Sequence, residues 1–254
     1  MTIKLITIPF SHYCEKARWA LDRAGITYEE DGHLPLFHYL ANIRVGGKRT
    51  VPTLVTKDAG KKTVVRDSTD IIAWVDKQKP GSLIPLAGAD EALAIEDDFD
   101  NHFGPATRRW GYFYMLPNRD VDDVIGAGVP RWEKSLLKLA RPFAVRYLKR
   151  SLKIDPDGVA RSQKKIEETF SRVDEVLRDG RRFLTGDRFT VADLTFASLA
   201  APILLPPEHP VQKFELGLFP EEARVQIDRW RHTRAGQFGL RLYADERVRL
   251  PRAA

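Results

Sequence analysis

A serine and the chain's only cysteine, Ser11 and Cys14, lie three positions apart in the segment PFSHYCEKARWALDRAG, residues 9–25. The preceding IKLITI is rich in branched residues and predicts a strand. The segment itself has apolar residues on one helical stripe and predicts a helix that ends at Gly25. Both side chains are therefore expected where a helix begins, a position at which the helix dipole favours a thiolate.

A proline directly before a strand marks a second candidate site. In TVPTLV, Pro52 follows Val51 and has no backbone N–H for a strand ladder. It is expected at a strand start, an edge or a special turn. If the bond before Pro52 is cis, we expect the backbone of Val51 to be exposed to a peptide ligand.

An acidic residue and a serine open a later predicted helix. Asp67 and Ser68, in RDSTDI, offer a carboxylate, a hydroxyl and free backbone N–H groups. These groups suit the zwitterionic end of an amino acid. Further on, FTVADL places Thr190 and Asp193 at the spacing of a capping box, which predicts the start of another helix.

The pattern of elements divides the chain in two. Residues 1–80 predict the order βαβ followed by ββα, with TYEE as the second strand and a hairpin around KDAGKK. Residues 81–89, which are rich in proline and glycine, predict a linker. Long helical patterns follow, and residues 90–254 are expected to form an all-helical domain.

The composition indicates a cytoplasmic protein without an integral membrane segment. Of 254 residues, 43% are hydrophobic and 30% are charged, which is typical of a folded globular chain. One cysteine cannot form an internal disulfide, which fits a reducing compartment. The N-terminus has no secretory pattern, and the apolar run LTFASLAAPILLPP is too short to span a bilayer. The six histidines show no metal-ligand spacing, so no metal site is expected.

The net charge of +6 is densest in residues 131–153. This segment predicts an amphipathic helix with a solvated basic face, interrupted near Pro142. The apolar residues that repeat at helical spacing are Leu136, Ala140, Phe143 and Tyr147, and the basic residues expected to turn away from them are Lys134, Lys138, Arg141 and Lys149. A phosphate-rich or membrane partner is the alternative interpretation, whereas no nucleic-acid motif accompanies the charge.

These motifs, in this order, resemble the cytosolic glutathione transferases of the serine type. The resemblance extends to about the end of TVADLTFASLAAP and implies an α/β thioredoxin-like N-terminal domain (βαβ-ββα) followed by an all-α C-terminal domain. It also implies glutathione as co-substrate and a homodimer. The function implied is conjugation of glutathione to a hydrophobic electrophile, as in detoxification. The alternatives are a glutathione-dependent thiol-disulfide oxidoreductase and a non-catalytic binding or scaffold protein with the same fold.

The resemblance assigns roles to the candidate residues. Val51 would pair through its backbone with the cysteinyl part of glutathione, and Pro52 would be the cis-proline. Asp67 and Ser68 would hold the γ-glutamyl end, and Lys48 or Arg49 would bind the glycyl carboxylate.

Ser11 occupies the position that contacts the glutathione sulfur, and it would stabilise the thiolate rather than act as a nucleophile. His12, where many members have proline, is expected to be exposed. SHYC also resembles the Cys-x-x-Cys start of glutaredoxins, but Cys14 shares a helical side with Ala17 and Leu21 and is interpreted as a buried small hydrophobe.

An aromatic cluster in RWGYFYML is the candidate wall of the electrophile pocket, although core packing explains some of its members equally well. Its residues are Trp110, Tyr112, Phe113 and Tyr114.

Overall fold

The N-terminal part of the molecule is a four-stranded mixed sheet. The computed structural model describes residues 1–211 and 213–247. The strand order is β2-β1-β3-β4, with β1 and β2 parallel and the other two pairings antiparallel. The strands are β1 (Thr2–Thr7), β2 (Glu29–Gly32), β3 (Thr53–Asp58) and β4 (Lys61–Arg66).

Three helices accompany this sheet: α1 (His12–Arg23), α2 (His38–Val45) and α3 (Ser68–Gln78). Leu5 of β1 and Leu54 of β3 are fully buried, as are Ala20 of α1 and Ile71 of α3. The predicted order is confirmed, although β2 begins two residues later than TYEE suggested. Helix α2 lies in a stretch for which no element was predicted, because its apolar residues Leu40 and Ile43 are exposed and give no buried stripe.

The rest of the described chain is helical. Helix α9 is at its centre and is apolar on all sides, which explains why almost every residue in it is buried. The helices are α4 (Ala89–Asp98), α5 (Gly104–Met115), α6 (Val121–Ile125), α7 (Arg131–Ser151), α8 (Pro156–Val176), α9 (Val191–Leu204), α10 (Glu221–Arg231) and α11 (Arg234–Glu246). The predicted α/β and all-α fold class is confirmed.

The capping box of α9 forms as predicted. The Thr190 N–H donates to the Asp193 carboxylate (2.8 Å), and a second carboxylate oxygen accepts the Leu184 N–H (2.8 Å). The box therefore fixes the start of α9 and the loop before it. Residues 79–88 contain no helix or strand, and residues 248–254 of the predicted helical domain lie outside the described residues.

Helix α7 differs from its prediction in two ways. It continues through Pro142, which has no N–H to donate to the carbonyl of Lys138, one turn earlier. Its orientation is also not the expected one, since Leu136, Phe143 and Tyr147 are exposed and Arg141 faces inward. The Arg141 guanidinium is held by the Asp122 carboxylate at 2.7 Å.

Within residues 1–211 and 213–247, no helix combines the length and apolar character needed to cross a membrane.

Candidate functional site

A cleft of about 280 Å³ lies where the start of α1 meets the loop before β3. Ser11, Arg49 and Val51 line one side of it. Residues of α5 and α7 line the other side. The cleft therefore has walls from both the α/β and the helical parts of the chain, which is a common location for a ligand site.

Ser11 is the residue that precedes α1. Its backbone is extended (φ −75°, ψ 126°), and its side chain makes no capping hydrogen bond to the helix. The first N–H groups of α1 consequently receive no acceptor from Ser11, whose hydroxyl is hydrogen-bonded with the Cys14 thiol instead. A sulfur bound beside Ser11 would meet both the hydroxyl and the positive end of the helix dipole.

Cys14 is fully buried one turn into the same helix. Burial raises the pKa of its thiol to about 11, despite the nearby Arg18 guanidinium and a hydrogen bond with Ser11. The thiol is therefore protonated at neutral pH. A protonated, buried thiol suits packing rather than attack on a disulfide.

His12 is buried, and the expectation that it is exposed is wrong. Its Nε2 lies 3.1 Å from the Gly104 carbonyl oxygen of α5. Burial, with the Arg108 guanidinium as a second cause, lowers the pKa of His12 to about 3. The neutral ring must carry its proton on Nε2 to donate this bond, so His12 ties α1 to α5.

Val51 lines the cleft, and the peptide bond between Val51 and Pro52 is cis, as the family resemblance implied. The loop before this bond is fixed by side chains of α2. His38 Nε2 lies 3.0 Å from the Arg49 carbonyl, and the Asn42 amide donates to the Thr50 carbonyl at 3.2 Å. Helix α2 thus positions the backbone that would face a peptide ligand.

Asp67 and Ser68 stand at the start of α3 as predicted. Asp67 has a positive φ of 79°, and its carboxylate caps the helix by accepting the Thr69 N–H at 3.0 Å. The Ser68 hydroxyl is buried and has no hydrogen-bond partner among the described residues. A buried hydroxyl without a protein partner at a helix N-terminus leaves a hydrogen-bonding group for a ligand or a water molecule.

A buried charged cluster lies directly behind Ser68. Lys16 is fully buried and forms ion pairs with Glu96 and, at 2.7 Å, with Asp100. The Thr69 hydroxyl contacts both carboxylates, at 2.6 and 3.0 Å. The cluster joins α1, α3 and the start of the helical part, and so fixes the start of α3 against both.

The two candidate basic residues have different surroundings. Arg49 lines the cleft, and its guanidinium carbon lies 6.0 Å from the centre of the Tyr39 ring. Lys48 lines an adjoining groove with Asp67 and Trp74. Arg49 is therefore brought together with Ser11 and Val51, whereas Lys48 is brought together with Asp67.

The aromatic cluster is divided among three environments. Tyr112 lines the cleft, and burial raises the pKa of its hydroxyl to about 12. Trp110 is fully buried, with its ring centre 4.8 Å from that of Trp230, so its predicted place in the pocket is wrong. Phe113 and Tyr114 line a separate groove beside Phe219. On a helix, only residues three or four positions apart share a face. Of this cluster, Tyr112 therefore faces the cleft and its neighbours in the sequence do not.

The cleft also contains residues that sequence reasoning missed. Arg108 is half-buried and lies one helical turn before Tyr112, and its guanidinium carbon is 5.8 Å from the centre of the Tyr13 ring. It makes no ion pair with any described residue. Tyr13 donates its hydroxyl to the Asp100 carbonyl (2.9 Å), and Tyr147 comes from α7. The i, i+4 spacing of Arg108 and Tyr112 was the available signal.

The part of the chain that the structure describes contains no group of three or more acidic, histidine or cysteine side chains that could hold a metal ion.

The sheet, the helical part and the cleft between them define a protein of the thioredoxin-like, two-part class. Residues 5–83 match the family described as "Glutathione S-transferase, N-terminal domain". Residues 156–230 match "Glutathione S-transferase, C-terminal domain". The chain belongs to the cytosolic glutathione transferase superfamily.

Solved structures share this fold at low sequence identity. A glutathione S-transferase of Ceriporiopsis subvermispora, solved in complex with glutathione, is 19% identical with a TM-score of 0.63 and full coverage of both chains. A theta-class glutathione S-transferase of Xanthomonas axonopodis pv. citri, with glutathione bound, is 20% identical with a TM-score of 0.55 and covers 94% of this chain and 97% of its own. FzlA from C. crescentus is 15% identical with a TM-score of 0.56, and the match covers 99% of this chain and 94% of the FzlA chain. A search of curated proteins gives no significant match.

Proposed function

We propose that this protein is a glutathione transferase of the serine type. Bound glutathione would place its sulfur beside Ser11, and the Ser11 hydroxyl with the N-terminus of α1 would stabilise the thiolate for attack on a hydrophobic electrophile. The observation that carries the proposal is Ser11 itself. Its hydroxyl is not used to cap α1, and it lines the same cleft as Val51.

The remaining contacts of glutathione follow from the same arrangement. The backbone of Val51 would pair with the cysteinyl part, with Pro52 in its cis form. Asp67 and the unpartnered Ser68 hydroxyl would hold the γ-glutamyl end. Arg49, and less directly Lys48, would bind the glycyl carboxylate, because Arg49 lines the cleft itself.

The electrophile would lie against Tyr112, Tyr147 and Leu148, on the α5 and α7 side of the cleft. A homodimer and a cytoplasmic location belong to the same proposal. A thiol-disulfide oxidoreductase is disfavoured by the buried thiol of Cys14.

Two measurements test this function. The purified protein should be retained on immobilised glutathione and eluted by free glutathione. It should also conjugate glutathione to a chlorodinitrobenzene, as followed by absorbance. Retention without conjugation would favour the binding or scaffold alternative, and reduction of mixed disulfides without conjugation would favour the oxidoreductase.

A further inference from the structure

Helix α7 carries an apolar stripe whose side chains are largely exposed. We define the outer stripe as Trp132, Leu136, Leu139, Phe143 and Tyr147. Leu139 is 82% exposed and Phe143 is 78% exposed, and the other three are about half exposed. At 3.6 residues per turn these positions fall within an arc of about 80°, along about 22 Å of helix. Isolated exposed apolar side chains are ordinary, but an aligned row is not.

The opposite side of α7 is already occupied. Leu137, Ala144 and Leu148 contribute to an apolar cavity with Phe10 and Tyr112. Glu133 is fully buried, where it accepts the Leu34 N–H at 2.8 Å and contacts His33 at 2.6 Å. The fold therefore fixes α7 mainly by its inner side. On the outer stripe, the Trp132 ring packs edge-on against Phe37 with 5.4 Å between the ring centres, and the Tyr147 hydroxyl lies 3.4 Å from that of Tyr39.

The exposed charge beside the outer stripe has a single sign. Arg131, Lys138, Arg146 and Lys149 are exposed, and helical geometry places them along one flank of the stripe. None of them forms an ion pair with a described residue. Glu133, the only acidic residue in α7, is turned inward. The outer side of α7 therefore combines apolar side chains with unneutralised positive charge.

We propose that the outer stripe and its basic flank dock the protein on an anionic lipid surface, with α7 lying in the plane of the interface. An apolar helical face flanked by lysine and arginine is what an anionic bilayer binds, through burial of the apolar side chains and attraction to the headgroups. Trp132 and Tyr147, at the two ends of the stripe, have rings that favour the interface. A second copy of the chain fits less well, because pairing two such faces would bring like charges together.

Helix α7 is also a distinctive part of this chain. It lies between the two segments that match the family, which end at residue 83 and begin again at residue 156. Tyr147 belongs both to the outer stripe and to the lining of the cleft. Docking through α7 would therefore place the bilayer next to the cleft.

The test is flotation of the full chain with vesicles of two compositions. At low salt the protein should bind vesicles of equimolar phosphatidylcholine and phosphatidylglycerol, and should not bind pure phosphatidylcholine. The double variant Leu139→Ser, Phe143→Ser should bind at least about tenfold more weakly. Val225→Ser, which removes a 60% exposed apolar side chain from α10, should bind like the parent.

Charge is tested with a matched pair of double variants. Lys138→Gln, Lys149→Gln should weaken binding to the anionic vesicles, and raised salt should weaken it further. Lys61→Gln, Lys164→Gln makes the same change of net charge at exposed positions on β4 and α8, and should have a smaller effect. Equal loss in both pairs would show that only the net charge matters and would overturn the proposed face.

Tryptophan fluorescence reports the orientation. Trp19, Trp110 and Trp230 are buried and Trp74 is half-buried, so a blue shift on vesicle binding should come from Trp132. Trp132→Phe should remove the shift while flotation persists. The proposal is overturned if the parent does not float with anionic vesicles, or if the serine double variant floats equally well. It is also overturned if the only effect of that variant is to dissociate a dimer of the protein, as detected by sedimentation. The same holds if its only effect is to abolish binding of this protein to an acidic protein.

Discussion

Two residues near the start of α1, Ser11 and Cys14, have opposite surroundings although they are one helical turn apart. Ser11 lines the cleft and its side chain makes no capping bond, whereas the Cys14 thiol is fully buried and its pKa is raised by burial. A helix N-terminus lowers the pKa of a sulfur only when that sulfur can lie beside the free N–H groups. Because the buried Cys14 thiol has a raised pKa, we propose that a ligand's sulfur, rather than the protein's own, uses this place.

The first prediction separates these two residues. Ser11→Ala should raise the pKa of the bound glutathione thiol and slow conjugation at neutral pH by about tenfold to a hundredfold, because one donor to the thiolate is lost. The slowed rate should recover partly at higher pH. A pH–rate profile with a chlorodinitrobenzene measures this, with Cys14→Ala as the control that keeps both the rate and the profile. Loss of conjugation only in Cys14→Ala would reverse the assignment.

The second prediction concerns Asp67, which has two functions in the structure. Its carboxylate caps α3 by accepting the Thr69 N–H, and the same carboxylate is the candidate partner of the γ-glutamyl amine. Asp67→Ala should therefore cost stability as well as glutathione affinity. Asp67→Asn keeps the cap and removes the charge, so it should unfold like the parent in urea. It should bind glutathione more weakly by about 1.5–3 kcal/mol in calorimetry. Parental affinity in Asp67→Asn would mean that the carboxylate does not contact the γ-glutamyl amine.

At the scale of elements, local signals were sufficient for most of the α/β part. Val51–Pro52, Asp67–Ser68 and the capping box of α9 each follow from a few adjacent residues, and all of them adopt the predicted local structure. These features depend on backbone geometry and helix capping, which a few adjacent residues determine.

Long-range packing decides the features that the sequence did not predict. The cluster of Lys16, Glu96 and Asp100 joins residues about eighty positions apart, and no local pattern indicates it. The orientation of α7 was also unpredictable, because the helix has apolar residues on two opposite sides. Periodicity alone does not say which of them faces the core. In the structure, Glu133 contacts His33 and Leu34, and these contacts hold one side of α7 against the α/β part.

The third prediction follows from this attachment of α7. The hydrogen bond to Asp31 and the contact with Glu133 raise the pKa of His33, although partial burial opposes the shift. A histidine with a raised folded-state pKa contributes stability that is complete below its ordinary pKa near 6.5 and is lost as the pH rises through the folded value. His33→Gln should therefore destabilise the protein at mildly acidic pH and lose this effect at alkaline pH.

Urea unfolding at a series of pH values checks the third prediction. The difference in unfolding free energy between the parent and His33→Gln should shrink as the pH rises. His232→Gln is a matched control, because His232 is an exposed histidine near an aspartate on its own helix. A constant difference between the parent and His33→Gln would show that the contact does not depend on the charge of the ring.

At the scale of the whole molecule, a buried network joins the C-terminal end of the described chain to α1. Arg247 donates to Glu15 at 2.6 Å and to Asp22 at 2.8 Å, and Arg18 contacts both Glu15 and Glu30. Burial would raise the pKa of Glu15, but Arg247, with further help from His209 and Arg18, lowers it to about 2. The carboxylate is thus ionised in the core because Arg247, at the end of the described chain, pairs with it.

The last prediction is that Arg247 stabilises the fold through Glu15. Arg247→Met should reduce the unfolding free energy by roughly 3–5 kcal/mol at neutral pH, because it leaves a buried carboxylate without its main cation. Arg229→Met, which removes an exposed arginine from α10, should cost far less.

In the parent, the contribution of Glu15 to the unfolding free energy is present above its ordinary pKa of about 4.5 and is lost as the pH falls toward 2. In Arg247→Met, burial should raise the pKa of Glu15, so the deficit should narrow in mild acid as the carboxyl takes up a proton. Adding Glu15→Gln to Arg247→Met should restore part of the lost stability at neutral pH, as measured by urea unfolding in a double-mutant cycle. If the two changes were simply additive, the stability would come from the packing of the Arg247 side chain or from Asp22, and not from the charge of Glu15.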